Sequence, residues 1–271
     1  MGIAEKHEKM LYPMVRITAE KTHGSGTIIY SEPNPKNKNR YDTYILTNEH
    51  VIDFLIKIEK KWSNIFKRKI EKDILGTPEI ETFKYEWSSR IYTSEGNKAS
   101  IVAYDKEEDL ALLKLRSPEK YPYPAKLYPI DKVKELKCFM GTYTIGCGLG
   151  EKPVITQGFL SGFGYEIENK EFIMNTAPSI FGNSGGACFL ESTNRFIGVP
   201  SRLSVILLGF SADAITHMGY IIPIWRVCKF LKDQYFHFIY DNNYTLEQCE
   251  QMKKEAKERD ELKMLKRLKS E

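Results

Sequence analysis

An all-β fold of two similar barrels is predicted by three features: short β-rich runs at regular intervals, turn residues between them, and a proline-rich connector near the middle. In the first half the runs are MVRITA (14–19), GTIIYS (26–31), TYILTN (43–48), SIVAYD (100–105) and LALLKL (110–115). In the second half FMGTYTIG, VITQGFLSGFG, EFIMNTA, GACFLES, RFIGVPS and MGYIIPI alternate β-branched or aromatic residues with Gly, Pro or Asn breaks. About six strands fall on either side of the connector YPYPAKLYPID (121–131), placing barrel one at about 10–120 and barrel two at about 131–225.

Two segments depart from the β pattern. From Leu55 to Ile70 the apolar residues Leu55, Ile58, Trp62, Ile65, Phe66 and Ile70 recur at three- and four-residue steps, which predicts an amphipathic helical insertion. Near the C-terminus, 223–238 reads as a docked helix. After the break at Asp241-Asn242-Asn243, Thr245 and Gln248 form a capping-box start for a Lys/Glu-rich helical tail within 241–271. Residues 1–240 are expected to form one domain in front of that tail.

Composition narrows the function classes. The chain has 271 residues, 42% hydrophobic and 28% charged, with a formal net charge of +4, too small a surplus to imply nucleic acid or membrane. No run approaches the roughly 18 apolar residues of a membrane span, and the N-terminal residues lack the pattern of a secretory signal. A cytoplasmic location is therefore expected. The five cysteines (Cys138, Cys147, Cys188, Cys228, Cys249) are odd in number and widely spaced, so reduced thiols are expected, and no His or Cys cluster suggests a metal.

Three polar positions at strand edges could carry acyl-transfer chemistry, which needs a nucleophile, a base, an acid that orients the base, and donors for an oxyanion. Gly182-Asn183-Ser184-Gly185-Gly186 offers a serine among glycines that let the Gly182 and Ser184 amides converge, although a plain glycine-rich turn has the same composition. His50 follows the apolar strand in YILTNEHVI, whereas His7, His23, His217 and His237 lack that setting. Asp109 opens DLALLKL, where a carboxylate at the mouth of a buried strand can reach an imidazole, and simple solvation is the alternative.

Taken together, GSGTII, ILTNEHVI, DLALLKL and GNSGG, in that order, resemble the chymotrypsin-fold serine peptidases, closest to the Deg/HtrA-type branch, over roughly residues 14–225. The resemblance implies two six-stranded antiparallel Greek-key barrels and a cofactor-free serine endopeptidase acting on polypeptides. It casts His50 as base and then acid, Asp109 as its orienting group, Ser184 as nucleophile, and the Gly182 and Ser184 amides as oxyanion hole. Ser201 would back the aspartate and begin the strand along which substrate lies. Pro178 would form the base of the specificity pocket, with Ser201, Arg202 and Leu203 on one wall and Gly219, Tyr220 and Ile221 on the other. No acid stands at the base, so a small or medium apolar P1 side chain is expected rather than Lys or Arg. Activity is expected to fall as His50 becomes protonated.

The chain differs from the family in its long 55–90 insertion and in carrying Ala187-Cys188 where Pro-Leu or Pro-Val is common; Cys188 is expected to be core packing, and no PDZ domain is expected in the residues after the docked helix. The basic stretch 57–72 permits contact with nucleic acid or anionic lipid, but a solvated helix face is the expectation and nucleic acid is not expected as a partner. The helix 55–70 or the tail 245–271 could mediate self-association or partner binding. Two other functions compete. The Gly182-x-Ser184-x-Gly186 pattern also fits a hydrolase nucleophile elbow, but its base would have to be His217 or His237, and a helix, not the strand-like ACFLES, should follow. A non-catalytic interaction scaffold is the other alternative.

Overall fold

The computed structural model describes residues 2–20, 22–208 and 211–270. Six strands close the first barrel: β1 (Met14–Ala19), β2 (Thr22–Asn34), β3 (Asn37–Thr47), β6 (Glu79–Glu86), β7 (Arg90–Asp105) and β8 (Leu110–Leu115), in the order β1-β2-β3-β8-β7-β6. The second closes in the order β10-β11-β14-β13-β12-β9, from β9 (Gly141–Gly146), β10 (Val154–Ile167), β11 (Lys170–Asn175), β12 (Ala187–Leu190), β13 (Arg195–Leu208) and β14 (Ser211–Pro223). All pairings within the barrels are antiparallel. The chain thus has the double-barrel chymotrypsin-like fold.

Strands β3 and β8 explain why the barrels meet where they do. In a strand, alternate side chains face opposite sides. Ile45, Ala111 and Leu113 enter the core of barrel one, with Val15, Ile17 and Ile80. Their neighbours Tyr44, Leu46, Leu110 and Leu112 belong instead to the apolar cluster that contains Phe189, Phe196 and Ile222 of barrel two. These strands are covered on both faces, hence the near-continuous apolar sequence LALLKL.

The segment 55–70 is not helical, correcting the predicted insertion: β4 (Ile56–Ser63) and β5 (Arg68–Leu75) form a separate two-stranded antiparallel sheet. Its apolar residues fit a period of two as well as one near 3.6, as Ile56 and Ile58 show. Ile58, Trp62 and Ile65 remain exposed. Pairing across a turn at 64–67, where the Ser63 hydroxyl accepts from the Phe66 amide at 3.2 Å, satisfies the backbone instead.

At the N-terminus, the short helix α1 (Ile3–Lys6) continues as a wider turn through Leu11. At the other end, α2 (Ile224–Asp233) is shorter than the predicted 223–238 helix. Tyr235 adopts φ 63°, and the Phe236 amide donates to the Leu231 carbonyl at 2.6 Å, a left-handed C-terminal stop. The chain then crosses to barrel one, where Phe236 and Phe238 pack edge-on against Tyr44 (5.6 and 5.9 Å) and Phe238 against Tyr30 (5.2 Å). The final helix α3 (Leu246–Ser270) starts at the expected capping box: the Gln248 amide donates to Thr245 Oγ1 at 3.2 Å and the Thr245 amide to Gln248 Oε1 at 2.8 Å. None of the helices among the described residues is long and apolar enough to cross a membrane.

Candidate active site

Strand register brings His50 and Asp109 together. Thr47, the last residue of β3, pairs with Ala111 near the start of β8, so the turn after one strand faces the residue that opens the other. Asn48 fixes this junction by donating its side-chain amide to the Asp109 carbonyl at 2.8 Å. Asp109 adopts φ 53°, a left-handed conformation that Asp tolerates better than most residues. Its Oδ1 and Oδ2 lie 2.8 and 3.0 Å from His50 Nδ1, and Oδ1 also accepts the His50 amide at 3.2 Å. With Nδ1–H donated to the carboxylate, His50 presents Nε2 as its basic nitrogen.

Ser201 completes the support of Asp109. Pro200 pairs with Ile221 and Arg202 with Tyr220, leaving Ser201 as an extra residue in β13. Such a bulge redirects a side chain. The Ser201 hydroxyl donates to Asp109 Oδ2 at 2.6 Å. Burial works to raise the Asp109 carboxyl, but the hydrogen bonds from His50 and Ser201 outweigh it and hold the group below its ordinary value.

Ser184 sits in a tight loop before β12. Gly185 has φ 81°, and a side chain there would collide with Thr47 Oγ1 and the Ser25 carbonyl, so the Ser184–Gly185 segment lies directly against the strand end that leads to His50. Among the described residues no hydrogen bond joins the Ser184 hydroxyl to His50; such contacts are often loose without substrate. Gly182 has φ 96°, and a Cβ on it would stand 2.7 Å from both the Cys147 carbonyl and the Leu149 amide. The Leu149 amide binds the Phe181 carbonyl at 2.7 Å, and the Gly182 and Ser184 amides donate to no backbone carbonyl among the described residues.

Three important residues were not singled out from the sequence. Ser25, buried in the GSGTII run, ties the barrels to the Ser184 loop: its hydroxyl donates to the Gly182 carbonyl (2.6 Å) and accepts from the Cys147 amide (2.7 Å), while its amide donates to the Ser184 carbonyl (2.9 Å). Glu108 and Arg226 form a buried ion pair beside Asp109. Arg226 Nε donates to Glu108 Oε2 at 2.8 Å and Lys170 Nζ to Oε1 at 3.0 Å, while the Arg226 fork also reaches the Glu108 and Glu171 carbonyls. The run of three acids, Glu107-Glu108-Asp109, before a buried strand is the one sequence signal that could have drawn attention to Glu108.

The pocket residues are more dispersed. Pro178 is exposed, with its carbonyl accepting from Thr156 Oγ1 at 2.7 Å. Gly219 faces Ser179 and Leu203, where an added Cβ would lie 3.5 Å from Ser179 Cβ and 3.7 Å from Leu203 Cδ2. Arg202 turns to Glu168 at 2.6 Å, and Tyr220 packs edge-on against Tyr165 at 5.5 Å. Cys188 is fully buried with its thiol pushed up to about 12 by desolvation, as expected of core packing. His237 packs edge-on against Tyr244 at 4.3 Å, and β12, a strand, follows the Gly-x-Ser-x-Gly pattern, against the nucleophile-elbow alternative.

Glu49 is a buried acid immediately before His50. Burial, with Asp53 and Asp109 as like-charged neighbours, pushes its carboxyl above the ordinary value. A carboxyl raised in this way opposes folding when ionised, and the penalty disappears as pH falls through its folded-state value. Glu49→Gln is therefore expected to raise Tm by about 2 °C at pH 8. Melts repeated at pH 4 should show the difference from the native chain shrinking.

Comparison with known proteins settles the family. A model of the trypsin-like peptidase domain matches residues 24–199, most of the chain. The chain belongs to the trypsin-like peptidase family. Among relatives of this peptidase domain, a probable periplasmic serine endoprotease, DegP-like, from Pseudomonas fluorescens is 28% identical over 130 residues, 47% of this chain and 25% of that protein. The match thus spans about a quarter of the relative's length. Solved structures share the fold: a serine endoprotease from Yersinia pestis (19% identity, TM-score 0.57, covering 86% of this chain and 67% of that one) and the HtrA-type protease AlgW with a tripeptide (19%, 0.59, 88% and 64%). Deg5 is a third (23% identity, TM-score 0.56, 84% and 94%).

Proposed function

We propose that this trypsin-like peptidase domain is a serine endopeptidase that cleaves polypeptides through an acyl-enzyme. The carrying observation is the Asp109 carboxylate, held at once by His50 Nδ1 and by the Ser201 hydroxyl from the opposite barrel. Ser184 attacks the scissile carbonyl as His50 Nε2 takes its proton, and the charge on the carbonyl oxygen is met by the Gly182 and Ser184 amides. His50 then protonates the leaving amine, and water reverses the sequence to release the second product. The tie between Leu149 and Phe181 supports this reading, since it fixes the Phe181–Gly182 peptide by its carbonyl, and among the described residues the Gly182 amide has no backbone acceptor.

An activated fluorophosphonate is expected to label the native chain and not Ser184→Ala. Absence of labelling in the native chain under all conditions would overturn the peptidase reading in favour of a peptidase-fold scaffold. For specificity, the pocket that the family resemblance implies, with Pro178 at its base and Ser201–Leu203 and Gly219–Ile221 as walls, would take a small or medium apolar P1 residue. Arg202 is directed to Glu168 and so does not dictate an acidic P1. A peptide-library profile should show cleavage after such residues; dominant cleavage after Lys or Arg would reject it.

A further inference from the structure

We propose that the tip of the β4–β5 hairpin docks on an anionic phospholipid bilayer. Among the described residues the hairpin strands pair only with each other, and eight residues per strand at about 3.3 Å per residue carry the tip roughly 25 Å from the base. From residue 60 to 69 the sequence KKWSNIFKRK contains five cations and no acid, although the whole chain has only four more basic than acidic groups. Lys61 reaches back to Glu59 at 3.5 Å, an exposed pair that leaves the surplus at the tip intact.

The apolar residues set the kind of anionic partner. Trp62 is 62% and Ile65 57% exposed, and Phe66 lies beside Ile65 in the turn. Ile65 and Phe66 therefore lead, Trp62 follows one step behind, and the cations form a collar on both strands. That order suits a bilayer: aliphatic and aromatic groups enter the interface while Lys and Arg stay at the headgroups. A ribbon reading nucleic acid would instead lead with polar groups able to meet base edges. The base of the hairpin is closed by the Gly76 amide on the Leu55 carbonyl at 2.8 Å, shortly after His50, so docking at the tip would tether the candidate active site within roughly 25 Å of the membrane surface.

The test is cosedimentation of the full chain with phosphatidylcholine vesicles, with and without 30% phosphatidylserine, and titration with duplex DNA as competitor. Binding is expected to the phosphatidylserine vesicles only, and to weaken in high salt. Lys60→Glu/Lys61→Glu/Lys69→Glu should weaken it on the order of a hundredfold, and Trp62→Ser/Ile65→Ser on the order of tenfold. Thermal melts confirm that each variant is folded. Equal binding to neutral vesicles, preference for DNA, or insensitivity to Trp62→Ser/Ile65→Ser would each overturn the proposal, as would no vesicle binding at all.

Discussion

Asp109→Asn is expected to lower kcat about ten-thousandfold while the chain stays folded. The amide occupies the same volume and can still accept from Ser201, but it offers His50 an N–H as readily as an oxygen, so the imidazole loses the orientation that leaves Nε2 basic. Ser201→Ala removes only one of the bonds that hold the carboxylate and is expected to reduce kcat about tenfold. The same bonds give Asp109 a folded-state value below its ordinary one. Its stabilising contribution is therefore complete above the usual carboxylate range and is lost as pH falls through the folded-state value. Kinetics on a peptide identified by library cleavage, with a thermal melt for each variant, check both expectations. A loss of less than tenfold in Asp109→Asn would mean that another group orients His50.

The second large effect concerns stability. Arg226→Ala is expected to destabilise the protein by about 3 kcal/mol or more, lowering Tm by roughly 10 °C. Both side chains of the Glu108–Arg226 pair are about nine-tenths buried, at 10% and 8% exposure, so truncation strands a desolvated carboxylate with Lys170 as its remaining cation. Burial raises the Glu108 carboxyl, yet its bonds to Arg226 and Lys170 prevail and lower it, so the pair stabilises the fold above the ordinary carboxylate range and fails as pH falls through the folded-state value. Arg226→Lys keeps the charge but loses the fork to the Glu108 and Glu171 carbonyls, and should fall between native and Arg226→Ala. Glu108→Leu/Arg226→Met, which removes both charges, should be less destabilised than Arg226→Ala. Urea unfolding at pH 7 and pH 4 measures all three.

What was legible in the sequence follows from how burial acts on each element. Strands β3 and β8 are covered on both faces, and their apolar runs announced both the strands and the polar residues at their ends. His50 and Asp109 were found that way. The helical expectation for 55–70 failed because a stripe of Ile and Trp fits two periods. Strand β6 fell within the 55–90 insertion and was not recognised as a barrel strand, since Glu79 and Lys84 are exposed and only Ile80, Thr82 and Phe83 are buried. Glu108 and Arg226 lie 118 residues apart, and their pairing exists only once α2 has docked. Ser25 was inside a motif that was noticed, but its three bonds to Gly182, Cys147 and Ser184 depend on the other barrel.

The crossing of residues 236–238 onto barrel one has a consequence for biosynthesis. The aromatic cover over Tyr30 and Tyr44 is supplied by residues made more than two hundred positions after β1 begins. On the ribosome, that part of barrel one therefore stays incompletely covered until residues 236–238 have emerged. A product that stops before residue 236 is expected to lack that cover over Tyr30 and Tyr44 and to be open to aggregation.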